Sequence, residues 1–112
     1  MAEVGSYAEL IKRVLREHAA IKPSYGDIDV EVVFDDAQGH YEVMCAGWAG
    51  DRRVHGSAIH VDLKGDKIWI QHDGTEQGIA GELLAAGVAP EEIVMGFHPP
   101  TQRHLTRYAT GS

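Results

Sequence analysis

The run "QHDGTEQG" (71–78) crowds His72, Asp73, Thr75 and Glu76 together, and His60 and Asp62 stand one residue apart shortly before it. A histidine beside a carboxylate can move a proton, and histidines with an aspartate can hold a divalent metal. On that reading His60, Asp62, His72 and Asp73 would form a small metal-dependent nuclease or hydrolase site. Spacing argues against it. The chain has seven histidines and one cysteine, Cys45, with no Cys-x-x-Cys and no His-Glu-x-x-His. His55 and His60 fall on opposite faces of a regular strand, and His60 with Asp62 supplies only two ligands. The histidines are read as scattered polar residues, and no metal or cofactor is expected. Cys45 sits on the apolar parity of a strand, where cysteine serves as a small filler. Ser57 and Thr75 lie in no Gly-x-Ser-x-Gly elbow. "GIAGELLAAG" carries glycines inside a helical pattern, not between a strand and a helix start, so it is no phosphate loop. No catalytic residue is assigned, and the protein is expected not to be an enzyme.

The elements around these residues follow from periodicity. "SYAELIKRVLREHA" places Tyr7, Leu10, Ile11, Val14, Leu15 and His18 on one helical stripe. Ser6 with Glu9 reads as a capping box, and Glu9 with Arg13 as a pair four apart. "KPSYGD" (22–27) ends this helix. Four strands come next: "IDVEVVFD", "HYEVMCAGW", "RRVHGSAIHVDLK" and "KIWIQH", joined by "DDAQG", "AGD" and "KGD". Connections this short predict an antiparallel meander. Gly56 predicts a bulge that switches the facing of the third strand. The period changes to about 3.6 within "HDGTEQGIAGELLAAGV", predicting a second helix. Asp73 with Glu76, or Thr75, would cap its start, and Gly87 its end. That assigns "HDGTE" to a strand–helix joint. "APEEIVMGF" reads as one helical turn and a short apolar extended piece. "TQRHLTRYA" reads as a last short helix with Leu105, Tyr108 and Ala109 inward. The expected fold is α+β: a four-stranded antiparallel meander, two helices packed on one face, and a short C-terminal helical segment, all in one domain over residues 1–112.

Composition narrows the partners. The net charge is −7, which opposes broad phosphate binding. A single cysteine and the absence of a visible signal or spanning segment fit a cytoplasmic protein away from membranes. Met44, Trp48, His60 and Trp69 project from the sheet face opposite the Ile/Val/Phe side. Arg52 and Arg53 adjoin Trp48 at a turn, where bidentate contact with a partner's carboxylates is open to them. Large apolar groups there must be covered, either by the segment from Ile93 to Ala109 or by a partner protein or second copy. Direct DNA contact is the alternative, through Lys12, Arg13, Arg16 and Lys22 on or just past the first helix; a solvated helix face explains the same charges.

Several stretches carry a family resemblance: "KPSYGD", "HYEVMCAGW", "DRRVHG", "IHVDLKGDKIWIQHDGTEQGIAGELLAAGV" and "EEIVMGFHPP", with Arg103, Thr106 and Tyr108 at the close. Through these the chain resembles the XisI family, the fdxN-element excision controlling factors. Met95 stands where family members more often carry leucine, a conservative change. The resemblance implies a small accessory protein, associated with a neighbouring factor called XisH, that is needed for programmed excision of a DNA element during cell differentiation. It implies that cutting and rejoining belong to a separate recombinase. A non-catalytic regulatory protein with an XisH-like partner is therefore expected.

Overall fold

The computed structural model describes residues 4–21 and 26–111, with side chains from Tyr7 onward. Helix α1 spans Val4–Ala19 and is followed by strands β1 (Asp27–Asp35), β2 (His40–Ala49), β3 (Arg52–Lys64) and β4 (Lys67–Asp73). Then come helix α2 (Ile79–Ala85), a 3-10 turn (Pro90–Glu92), strand β5 (Ile93–Met95) and a 3-10 helix (Pro100–Leu105). The sheet order is β1-β2-β3-β4-β5. The first four strands pair antiparallel as a meander. The fold is α+β as expected, and "IVM" extends the four strands to five. β5 lies parallel to β4, because the chain returns through α2 rather than a tight turn.

The core lies on one face of the sheet. Tyr7, Ile11, Val14 and Leu15 from α1 and Ile79, Ala80 and Leu83 from α2 meet Tyr41, Val43, Ile59, Val61, Ile68, Ile70 and Ile93. All are nearly withdrawn from water, the dominant favourable term for folding. His18 Nε2 also meets Glu82 Oε2 at 2.6 Å, tying the two helices together. Ser6 lies inside α1, which has already begun at Val4, so it is not the cap. Glu9 pairs with Lys12 at 2.8 Å, leaving Arg13 exposed. Lys12 also reaches Asp36 Oδ2 at 3.0 Å, and the Tyr41 hydroxyl donates to Asp36 Oδ1 at 2.9 Å. This cluster pins the β1–β2 turn against α1.

Register depends on two bulges. β3 carries one extra residue, Ala58, because Met44 pairs with Ser57 but Val43 with Ile59. The expected bulge therefore exists, two residues beyond Gly56. Before it Val54 and Gly56 share the core face; after it Ile59, Val61 and Leu63 do. β4 carries a second extra residue, Gln71, since His60 pairs with His72 but Val61 with Ile70. Gly47 pairs with Ile28, and its missing Cβ would fall 2.0 Å from the Asp27 carbonyl oxygen, so only glycine lets β1 approach this closely.

The edges differ. Ala109 forms a parallel bridge with Val94, and its N–H donates to the Ile93 carbonyl at 2.8 Å, so the tail lies along β5. β1 is the other edge, with Asp27, Asp29, Glu31 and Asp35 all exposed. Leu105 does not face inward: it is 73% exposed on the 3-10 helix, while Tyr108 packs against the core.

Candidate functional site

The "HDGTE" run is a joint. Asp73 Oδ1 accepts from the Thr75 N–H at 2.9 Å and from its hydroxyl at 2.6 Å. Asp73 Oδ2 accepts from Ile79 N–H at 2.7 Å, and Thr75 Oγ1 accepts from Gly78 N–H at 3.0 Å. Asp73 and Thr75 thus satisfy amides at the helix start. Glu76 takes no reciprocal part; it is exposed in the loop, and the helix begins only at Ile79. At the other end Gly87, at φ +104°, allows Val88 N–H to bond Leu83 O at 3.0 Å, closing a Schellman motif.

The face of the sheet away from the helices carries the chemistry. Pairing sets His40 opposite Asp62, Asp62 opposite Trp69, Glu42 opposite His60, and His60 opposite His72. Asp62 is only 6% exposed. Its Oδ1 lies 2.6 Å from His40 Nδ1 and 2.8 Å from His60 Nε2, and its Oδ2 accepts from Gln71 Nε2 at 3.1 Å. Glu42 Oε1 stands 3.9 Å from His60 Nδ1. The two imidazoles are 6.2 Å apart at 68°. Burial pushes the Asp62 carboxyl up, but hydrogen bonds from His40, Gln71 and His60 outweigh it and hold it below the usual range. The same bond to Asp62, and its charge, raise the His40 imidazole.

The histidines are therefore not all scattered. His60 and Asp62 stand together as parity requires, and His40 joins them. His72 is exposed across from His60, while Asp73 is taken up by α2. His40 was invisible to spacing because it meets Asp62 only through a bulge, whereas Gln71 falls on the Trp69 side of β4 by plain alternation. Counting back from the "AGD" turn with no extra residue sets His40 opposite Val61; the bulge at Ala58 advances it to Asp62. A polar Gln between apolar Ile70 and a histidine was the available sign of the second bulge.

The aromatic residues of this face are divided. Trp48 is 51% exposed, with the Arg53 guanidinium 5.3 Å from its ring centroid and Arg53 donating to Gly47 O at 3.3 Å. Arg52 is exposed beside it, opposite Ala49. Met44, half-buried, lies between Glu31 and Ser57. Trp69 sits at the other end, near His40, which lies roughly 26 Å from Trp48 at about 3.3 Å per residue along β2. Lys64 Nζ stands 4.4 Å from the Trp69 ring and the Arg103 guanidinium 5.3 Å. Arg103 also donates to the carbonyls of His98, Gly96 and Thr110, which seats the tail over Trp69. The segment after Ile93 therefore covers the Trp69 end of the face and leaves the Trp48 end open.

The basic residues of α1 do not act together. Lys12 is buried and held by Glu9 and Asp36, and Arg16 lies 5.1 Å over the Phe34 ring. Arg13 is exposed, and Lys22 lies outside the described residues. Among the described residues no helix is long and apolar enough to cross a membrane.

Comparison with known proteins places this architecture. No curated protein matches the chain. A solved structure of a XisI-like protein from Anabaena variabilis ATCC 29413 is 38% identical, with a TM-score of 0.86 over 92% of this chain and 94% of that one. A second, of the fdxN element excision controlling factor XisI from the same organism, is 29% identical, with a TM-score of 0.81 over 94% and 96%. The family model described as XisI protein matches residues 1–110. With nearly its whole length matched and its sheet shared, the chain belongs to the XisI family.

Proposed function

We propose that the chain is a non-catalytic accessory factor that acts by protein–protein contact, with an XisH-like protein as its partner and control of DNA-element excision as its role. Family membership, and the description of one relative as an excision controlling factor, support the process. The observation that carries the contact is the Trp48–Arg53 corner: a half-exposed indole beneath a guanidinium, beside exposed Arg52. Trp and Arg are the residues that most often dominate binding energy, and a face ending in this pair offers a partner both apolar area and carboxylate recognition.

Co-purification from the native host with an XisH-like protein tests the reading. A Trp48→Ala/Arg53→Ala variant is expected to lose about 2 kcal/mol of binding, roughly a 30-fold weakening. Leu105→Ala, more exposed than Trp48 but on the tail, should bind as the parent does. Full retention by the double variant removes this surface, and failure of any XisH-like protein to co-elute with the parent removes the partner.

A further inference from the structure

We propose that His40, His60 and Asp62 form a binding site for a divalent transition metal of the zinc class on the face of the sheet away from the helices. Each offers one ligand atom, and the three atoms lie within 4.8 Å of one another. His40 Nδ1 and His60 Nε2 come from different strands, yet both point at the same carboxylate oxygen, at 2.6 and 2.8 Å. Two imidazole nitrogens and one carboxylate oxygen are a borderline donor set. It suits zinc, copper or nickel and not the all-oxygen shells of calcium or magnesium.

The surroundings complete the case. His60 turns Nε2 to Asp62 while its Nδ1 faces Glu42 Oε1 at 3.9 Å, within ion-pair reach. A carboxylate behind a ligating histidine orients the ring and raises its basicity. Gln71 holds the second Asp62 oxygen at 3.1 Å, leaving Oδ1 to the histidines. All of these side chains stand on paired strands, which position ligands more rigidly than loops. The His40 side chain is 54% exposed and that of His60 31%, so an ion held here keeps its remaining coordination positions open to water. The site stands independently of any partner at Trp48.

The test uses the full chain without a polyhistidine tag, stripped by chelator and titrated with Zn2+ by calorimetry and with Co2+ by visible absorption. One ion per chain is expected, with d–d bands of N/O coordination. His40→Ala lies at the exposed end of the cluster and should keep the parent's circular dichroism. It is expected to weaken Zn2+ binding by about 100-fold, at least what loss of an outer-shell partner costs. Glu42→Gln should weaken it by about 10-fold. His55→Ala and His104→Ala should bind as the parent does. Absence of one-to-one binding by the parent overturns the proposal, and so does unchanged affinity in His40→Ala. Because both readouts on the parent need no variant, a variant that misfolds leaves the proposal open to refutation.

Discussion

Single side chains in this protein are often held by two partners, and Tyr41 shows what that does to titration. Its ring is 1% exposed and its hydroxyl donates to Asp36, so burial first, and the Asp36 carboxylate second, push the phenol from 10.0 up to about 12. A raised folded value means the neutral phenol stabilises the fold fully below about pH 10, and that contribution is lost as pH rises through about 12. Tyr41→Phe should flatten the alkaline loss of stability across that window and remove a late-titrating phenol from an ultraviolet titration. At neutral pH it should cost about 1 kcal/mol, one hydrogen bond's net worth. The Lys12 ammonium meets the same carboxylate and is raised by its bonds to Glu9 and Asp36, so a helix lysine that looked free for DNA is instead part of the turn's anchorage.

At the scale of elements, packing between strands sets the tolerances. Gly47→Ala would drive a methyl group against Asp27 O and Ile28 Cα at 2.0 and 2.7 Å, both backbone atoms of β1. We expect a loss of about 3 kcal/mol by denaturant midpoint, with β1 amides exchanging first by hydrogen exchange. The strands themselves were legible in sequence because alternation and tight turns are local signals. "RRVHGSAIHVDLK" gives Arg52–Lys64 without adjustment. The parallel placement of "IVM" was not, since nothing local says which edge a chain will join after a helix. Helix α2 came out shorter than its pattern, because Asp73 and Thr75 engage amides while the chain is still turning. The cluster around Asp62 was partly legible: His60 shares a parity with Asp62 and Gln71 with Trp69, but His40 comes opposite Asp62 only through a one-residue shift in pairing that no spacing rule records.

The whole molecule carries a net charge of −7, with four of its 17 acids along β1 and its basic residues dispersed or engaged. Neutralising phosphates needs a continuous basic surface, and Lys12 and Arg16 are each committed elsewhere. A gel shift with element-end DNA at low salt should therefore show no salt-sensitive complex; a shift that falls with added salt would revive direct DNA contact. The two edges of the sheet have a further effect on how copies of this chain can meet. With Ala109 bridged to Val94 on the β5 side, β1 is the longer unpaired edge offered to an additional strand. Two copies joined there would present their bridged β5 sides outward. The Ala109 bridge disfavours edge-to-edge growth beyond a pair, and the row of Asp and Glu guards the β1 docking line itself.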